Sequence, residues 1–394
     1  MEISNKIGAR SVANNDSSID VECVQEKPDR YATAPPWKLT WWAFKSHKLA
    51  LFSLWFIAIL YVIAIFVEVF APNSPYATDS RAVFHPPQAI KFLDRDEDGL
   101  RFAPHVIAQS AVRDPITMRR TFTPDPDDKV YLSLFGRGDP YRLWGFIPMD
   151  RHFITTQDLD RKVYFLGADR LGRDVLSRMI YGIRISLTIG LFGVMISLVL
   201  GVVLGALSGY CGGWVDTVIQ RVVEFMLSVP TIPIYLGLAA LIPTDVPTIY
   251  TFAAIVLILS LIGWTELARI VRGRFLALRK EDFVMAAKLD GASHGRLIFR
   301  HMLPAMTSQI IATVSLAIPM MIVVETSLSF LGLGLQTPAI SWGLLLQEAQ
   351  NVRSLSEAPW LLSPGALVVV AVLAFNFLGD GLRDAADPYS ELKI

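Results

Sequence analysis

Six long apolar stretches dominate the hydrophobic pattern of the chain. A helix that crosses a hydrocarbon core of about 30 Å needs about 20 mostly apolar residues, because each residue adds about 1.5 Å of rise. The stretches that meet this requirement are Leu49–Val67, Ile185–Val215, Phe225–Thr244, Val246–Thr265, Ala305–Val324 and Ala358–Gly379. The pattern therefore predicts an all-α membrane protein with six transmembrane helices.

Composition agrees with this pattern. The 394 residues are 53% hydrophobic with a mean hydropathy of +0.43, which is more apolar surface than an ordinary soluble domain of this size can bury. The 36 basic and 36 acidic residues give a net charge of zero, so the charge gives no reason to expect nucleic acid as a partner. Cys23 and Cys211 lie far apart and indicate neither a disulfide framework nor a metal site.

The charges between the apolar stretches predict the orientation of the chain. Lys and Arg in short loops are retained on the cytoplasmic side of a membrane. The turn at Asp245 has no basic residue and Leu331–Glu357 has only Arg353. The loop after the fourth stretch instead carries Arg269, Arg272, Arg274, Arg279, Lys280, Lys288, Arg296 and Arg300. We therefore predict that this loop and, with six crossings, both termini are cytoplasmic.

The segment between the first and second stretches is then predicted to lie outside, as a periplasmic insert. It is rich in Pro, Asp, Arg and aromatic residues, and short extended runs such as AIKFL and KVYLSLF alternate with turn sequences, so we expect mixed or β-containing structure. The predicted divisions of the chain are a cytoplasmic tail over 1–40, a first transmembrane helix over 41–70, the insert over 71–180, a transmembrane domain over 181–385 that contains the cytoplasmic loop 266–304, and a cytoplasmic tail over 386–394.

Two stretches of the insert allow more than one interpretation. The first half of a calcium-binding loop is matched by Asp94, Asp96, Asp98 and Gly99. His105 occupies the twelfth position, where that loop requires a bidentate glutamate, so a charged hairpin turn is favoured. The aromatic sequence Tyr141–Pro148 either lies at the headgroup level of the membrane, which we favour, or stacks on sugar rings.

Glycine and proline recur inside the apolar stretches, where they permit either close helix packing or local kinks. They are Gly190, Gly193, Gly201, Gly205, Pro230, Pro233 and Pro319.

Ionisable residues are almost absent from these stretches. Glu68 and Glu325 lie at the predicted span ends, where a solvated or capping role is favoured over a role in a translocation pathway. The candidates for a pathway or gating role are Glu325, Pro230 and Pro319.

The sequence offers little for catalysis. A phosphate-binding P-loop needs Gly-Lys-Ser/Thr, and no Gly-Lys dipeptide occurs in the chain. There is no HExxH motif, and the GxSxG match at Gly291–Gly295 follows no predicted strand and is interpreted as chance. The chain is therefore predicted to be non-catalytic and to bind no cofactor, so a source of energy would have to come from elsewhere.

The basic loop contains the most informative pattern, AAKLDGASHGRLIFRHMLP from Ala286 to Pro304. Small residues at Ala286 and Ala287 allow a partner surface to approach a helix closely, and Gly291 can adopt the positive φ of a sharp turn. A second helix is expected to run to Leu303 before Pro304 opens the fifth span. The pattern fits a helix–turn–helix that docks a partner or an amphipathic loop at the headgroups.

This loop resembles the EAAxxxG…IxLP loop in permease subunits of binding-protein-dependent ABC importers, specifically the C-type permease of the oligopeptide/dipeptide family. Ala286, Ala287, Gly291, Leu303 and Pro304 match, whereas Met285 replaces the Glu and His301 the Ile. Further blocks that resemble this family are Leu166–Leu187, Tyr210–Pro230, Glu325–Gly343 and Gly379–Pro388.

The resemblance implies the type I ABC importer permease fold in a bacterial inner membrane. It also implies three kinds of partner besides lipid: a homologous second permease, two ABC ATPase subunits that hold ATP and Mg²⁺, and a solute-binding protein. The coupling to the ATPases would be made by Ala286, Ala287, Lys288, Asp290, Gly291, Ala292, Leu303 and Pro304.

Short peptides are the solute that the resemblance favours, and oligosaccharides are the alternative. Two other classes of protein remain: a stand-alone secondary transporter, which should show intramembrane ionisable residues and inverted repeats, and a membrane-anchored scaffold, for which one span would suffice.

Overall fold

The computed structural model describes residues 36–386 except 97–98, 114, 116–119, 159 and 244–245. Both predicted tails thus lie almost wholly outside the described residues, as do Asp98 and Asp245. The first helices are α1 (Pro36–Ser46), α2 (Lys48–Ile65) and α3 (Val67–Phe70). After the insert follow α4 (Val175–Cys211), α5 (Gly213–Ser228), α6 (Thr231–Ala239), α7 (Thr248–Leu278), α8 (Asp282–Leu289), α9 (His294–Arg296), a π-helical turn (Leu297–Met302), α10 (Leu303–Ala305), α11 (Thr307–Phe330), α12 (Trp342–Ala349), α13 (Val352–Glu357), a 3₁₀ turn (Pro359–Leu362) and α14 (Ser363–Ala386).

The predicted all-α membrane fold is confirmed, with one correction to the third span. Within the described residues, α2, α4, α7, α11 and the segment Pro359–Ala385 are each long and apolar enough to cross a membrane. The predicted span Phe225–Thr244 is a bent pair, because α5 and α6 meet at an angle of 88°. Val229 is extended there, with φ −97° and ψ 135°. Pro230 explains the break, since proline disfavours helical geometry in the preceding residue and lacks an N–H group.

The insert contains the predicted β-structure. Its strands are β1 (Lys91–Asp96), β2 (Gly99–Arg113), β3 (Arg120–Leu134), β4 (Arg137–Leu143), β5 (Ile147–Arg151) and β6 (Ile154–Thr156). They form a sheet in the order β1-β2-β3-β6 and a separate hairpin of β4 and β5. All pairings are antiparallel, as expected where short turns join successive strands.

The acidic stretch at Asp94 forms the predicted hairpin, since Asp96 of β1 pairs with Gly99 of β2. The Asp94 carboxylate accepts hydrogen bonds from Lys129 Nζ at 2.6 Å and Tyr131 Oη at 2.7 Å. These two bonds, with the charge of Lys129, hold the pKa of Asp94 below its usual value. Asp94 therefore fastens β1 to β3, across the intervening strand β2.

Helices α4 and α7 pack closely along a row of glycines. Gly201, Gly205 and Gly209 follow one another at four-residue intervals and thus lie on one face of α4. A Cβ atom on Gly205 would lie 2.6 Å from the Ala268 carbonyl oxygen, and one on Gly209 would lie 2.7 Å from that of Arg272. Close approach is therefore the role of these glycines. Both helices run from the insert end of the bundle to the end that carries the basic loop, hereafter the loop end.

Candidate functional site

The basic loop begins as a short helix closed by a glycine. Helix α8 ends at Leu289, and Gly291 has a φ of +79°. The Gly291 N–H donates to the Lys288 carbonyl and the Ala292 N–H to the Ala287 carbonyl, both at 3.1 Å. A positive φ just after a helix, with backbone N–H groups returning to its last carbonyls, is the usual way in which glycine terminates a helix. Gly291 therefore makes the sharp turn expected from the sequence.

The second arm of the loop contains α9, the π-helical turn and α10. It ends at Met306, whose φ of −118° interrupts the helix before α11 begins at Thr307. The prediction that Pro304 opens the fifth span is therefore wrong by three residues: Pro304 lies inside α10. The π-helical turn Leu297–Met302, a local departure from α-helical geometry, directly precedes the helix that contains this proline.

One face of the loop joins the end of the bundle. Val284, Leu297, Ile298, Met302 and Met306 are buried against residues of α7 that include Val271 and Phe275. Ala287, Ala292 and Leu303 are partly buried against the same cluster. Ala286, Lys288, Asp290, Gly291 and Pro304 are exposed. The eight residues predicted to couple to an ATPase are thus divided between an inner face that holds the loop and an outer face.

The outer face also carries four large apolar side chains, of which the sequence analysis named only Met285, as a departure from the family pattern. Their exposed fractions are 44% for Phe283, 46% for Met285, 86% for Leu289 and 61% for Phe299. We call these four residues the loop patch. Phe283, Met285 and Leu289 lie on α8, and Phe299 lies in the π-helical turn. Their positions are visible in the sequence, but only the fold shows that the bundle leaves them uncovered.

Polar contacts tie the loop end to α4 and α5. The Tyr210 hydroxyl, at the end of α4, lies 2.6 Å from Nδ1 of His294 in the loop. Arg272 of α7 donates to both carboxylate oxygens of Asp216 in α5, at 2.6 and 2.7 Å. The loop thus contacts α4 directly, and α5 is tied to α7, the helix on which the loop packs.

Glu325 and Glu68 lie in settings that differ from the prediction. Glu325 is fully buried because α11 continues past the predicted span end, and it accepts hydrogen bonds from Ser186 at 3.2 Å and Ser329 at 2.9 Å. Glu68 is 7% exposed and forms a two-point ion pair with Arg184 at 2.7 Å. The expectation of a solvated or capping role is therefore wrong for both side chains.

The two hydroxyl groups on Glu325 extend its contacts to the connection after α11. The Ser186 hydroxyl accepts a hydrogen bond from the backbone N–H of Trp342 at 3.3 Å, and the Ser329 hydroxyl accepts one from the backbone N–H of Leu335 at 3.2 Å. Glu325 thus joins α4 to both ends of residues 335–342. Of the other two pathway candidates, Pro230 marks the break between α5 and α6, and Pro319 is buried inside α11.

We expect Glu325→Ala to destabilise the protein by about 1–3 kcal/mol, because two buried hydroxyl donors lose their acceptor. Glu325→Gln keeps an acceptor oxygen and the side-chain volume, so it should retain most of the thermal stability of the purified protein and most of its transport. If Gln abolished transport while leaving the melting temperature unchanged, the carboxyl group itself would act in the pathway.

A buried charge cluster lies at the insert end, where the sequence analysis predicted nothing. Arg178 of α4 donates to Asp169 and to Glu348 of α12, both at 2.6 Å, and Arg173 donates to the same two carboxylates at 2.7 and 3.0 Å. The exposed fraction is 2% for the side chains of Arg178 and Asp169 and 11% for those of Arg173 and Glu348. This charge cluster binds the start of α4 to α12.

Beside the bent third span, a cavity of about 230 Å³ lies between the end of α6, the start of α7 and the segment 332–338. Thr248, Thr251, Gln336 and Thr337 bring polar groups to its wall. The break in the helix pair therefore borders a partly polar space at the insert end.

Comparison with known proteins agrees with these features. A family model described as "binding-protein-dependent transport system inner membrane component" matches residues 201–389, which include the basic loop. A second model, "N-terminal TM domain of oligopeptide transport permease C", matches residues 35–87.

Several relatives and one solved structure are similar to the chain. A putative peptide permease protein of Brucella ovis is 39% identical over 254 residues, 64% of this chain and 82% of its own. The oligopeptide transport system permease protein OppC of Bacillus subtilis is 36% identical over 62% of this chain and 80% of its own. An inward-facing structure of the MetNI methionine ABC transporter aligns with 54% of this chain and 97% of its own, at 15% identity and a TM-score of 0.44. The identity and coverage of the two relatives show that the chain belongs to the oligopeptide/dipeptide family of ABC importer permeases, the inner-membrane components of binding-protein-dependent transport.

Proposed function

We propose that this chain forms half of the translocation pathway of an importer for short peptides and is driven by separate ATPase subunits that bind the loop patch. The exposed loop patch carries the proposal, because large apolar side chains that the fold leaves uncovered are a common mark of a protein interface. Basic residues around the patch favour a cytoplasmic position for the loop. Both termini would then also be cytoplasmic and the insert periplasmic.

The contacts of the loop support a mechanical role for it. Its inner face is packed on α7, and His294 contacts the end of α4, so a displacement of α8 moves the two helices that pack along the glycine row. ATP and Mg²⁺ would be bound by the ATPase partners, with none held by this chain. Closure of those partners would move α8 and tilt the spans between two discrete arrangements, as alternating access requires.

The remaining partners follow from the family: a homologous second permease and a solute-binding protein on the insert side. Short peptides are favoured because the Brucella ovis relative is named a peptide permease and the Bacillus subtilis relative an oligopeptide permease. In the stretch Tyr141–Pro148, for which sugar stacking was the less favoured interpretation, Trp144 lies against the end of α2. It therefore adds no support for oligosaccharides.

Leu289→Asp should prevent the ATPase subunits from binding, because it puts a charge in the most exposed position of the loop patch. We expect the ATPases to be lost from the purified complex and peptide uptake to fall to background, while the variant still inserts and purifies like wild type. The matched control is Val352→Asp at the opposite end of the bundle, where the side chain is 81% exposed. Retention of the ATPases by the Leu289 variant would place their binding site elsewhere. Retention of the ATPases with a loss of uptake for every peptide would also place their main binding site elsewhere, and would leave the loop patch with a role in coupling alone.

A further inference from the structure

The hairpin of β4 and β5 is fixed against the end of the first span. The indole N–H of Trp144, at the tip of the hairpin, donates to the Ile65 carbonyl oxygen at 2.8 Å. The Trp144 ring lies 5.7 Å from that of Phe66. Ile65 is the last residue of α2, an uninterrupted 18-residue helix, which at about 1.5 Å per residue nearly spans a hydrocarbon core. Trp144 is therefore held at the level where the hydrocarbon core ends.

The same hairpin tip exposes apolar side chains that the insert does not cover. Trp144 is 47% exposed, Phe146 69% and Ile147 37%, whereas Leu143 in the adjoining strand is only 7% exposed. Positive φ values of 53° at Trp144 and 85° at Gly145 form the tight turn that presents them. The Trp144 and Phe146 rings lie 6.1 Å apart. The tip is thus a small aromatic surface on a rigid hairpin.

This surface is continuous with the lipid-facing side of α2. Val62 and Ile65, in the last turn of that helix, are each 49% exposed. The Ile65 carbonyl oxygen accepts the hydrogen bond from the Trp144 indole N–H. Tryptophan is enriched where membranes meet water because its ring is apolar and its N–H group is polar. Arg142 is exposed one residue before Leu143 on β4, where a cation suits the phosphates of the headgroups.

We propose that the tip of this hairpin is a membrane anchor of the insert, in which Trp144, Phe146 and Ile147 enter the interfacial layer of the outer leaflet. The occupant of this surface is lipid, because the tip continues the face that α2 presents to lipid and stands at the depth of the helix end. This anchor goes beyond the transport function: it would hold the large sheet of the insert at a fixed height above the membrane.

The test is a spin label on the tip of the full chain in its importer complex. Cys23 and Cys211 are replaced by serine, Phe146→Cys carries a nitroxide, and the complex is placed in nanodiscs of phosphatidylethanolamine and phosphatidylglycerol. Collision with oxygen, which concentrates in lipid, is compared with collision with a water-soluble nickel chelate. Val112→Cys is the matched control, because Val112 is also an exposed apolar residue, at 54%. Val112 pairs with Thr121 of β3. Thr121 lies thirteen residues before Leu134, the last residue of β3, so the two ends of this stretch are about 40 Å apart at about 3.3 Å per residue.

The ratio of oxygen to nickel collisions should be severalfold higher at position 146 than at 112, and a second label at Ile147→Cys should repeat the result. A ratio at 146 equal to that at 112 would mean that the tip is in water and would overturn the anchor. Shielding of position 146 from both reagents would mean that another protein subunit covers the tip, which would also overturn it. Neither outcome depends on the transported solute or on the ATPase interface.

Discussion

Gly205→Leu is expected to abolish the packing of α4 on α7 and to destabilise the protein by about 3 kcal/mol or more, the upper range for overpacking. A side chain at position 205 would collide with both backbone and side-chain atoms of α7. Its Cβ atom would lie 2.6 Å from the Ala268 carbonyl oxygen and 2.8 Å from Val271 Cβ. A carbonyl in the middle of a helix cannot move aside as a flexible side chain can. The helices must separate, and the contacts made by Gly201 and Gly209 would be lost with them.

The yield of monodisperse protein and its melting temperature in detergent measure this effect. Gly273→Leu is the matched control, because Gly273 lies on α7 itself and a Cβ atom there would meet nothing within 4 Å. This control should purify like wild type. A stable Gly205→Leu variant would show that the two helices have room to separate without loss of the fold.

Glu348→Ala is expected to destabilise the protein by about 3 kcal/mol, since removal of one partner from a buried ion pair leaves an uncompensated charge. Arg178 is 1% exposed and would keep Asp169 as its only anionic partner in the charge cluster. The detachment of α12 from the start of α4 should appear as a lowered melting temperature. The matched control is Glu224→Ala, which breaks an exposed pair with Arg221 at 3.0 Å and should change the melting temperature little.

The contribution of Glu348 should also depend on pH. Burial alone would raise the pKa of Glu348, but hydrogen bonds and charge from Arg178 and Arg173 outweigh burial and lower it. A carboxyl group with a lowered pKa in the folded state stabilises that state above its unfolded pKa, about 4.3, and the stabilisation is lost as the pH falls through the lowered value. The gap in melting temperature between wild type and Glu348→Ala should therefore be constant at neutral pH and close in acid. A gap that widened in acid would contradict this assignment.

The spans and the β-containing insert were predictable because each rests on a local pattern. Uncharged runs of about 20 residues have no alternative to a helix in lipid, and the turn at Gly291 is a local property of glycine. A kink at Pro230 was one of the two possibilities that the sequence left open, but Phe225–Thr244 was counted as one span because hydropathy ignores backbone geometry. The apolar run continues across the break although the helix does not.

The buried charges were not predictable because each depends on a partner far along the chain. Arg178 meets Glu348 across 170 residues and Arg184 meets Glu68 across 116. Three members of the charge cluster lie within Leu166–Leu187, a block that the sequence analysis used only for its resemblance to a family. Glu325 was placed at a solvated end because the apolar run stops at Val324, although the hydroxyl groups of Ser186 and Ser329 let the helix continue with the carboxyl group inside.

Helix α4 has a consequence for how the two ends of the protein communicate. Its 37 residues form one uninterrupted helix, about 55 Å long at about 1.5 Å per residue. One end is bound in the charge cluster through Arg178 and the other contacts the loop through Tyr210. A stiff rod of this length that tilts by about 5° about its centre moves each tip by about 2.4 Å, and in opposite directions. A tilt of this kind would carry a shift at the loop end to the insert end in the opposite direction, without a chain of small side-chain rearrangements.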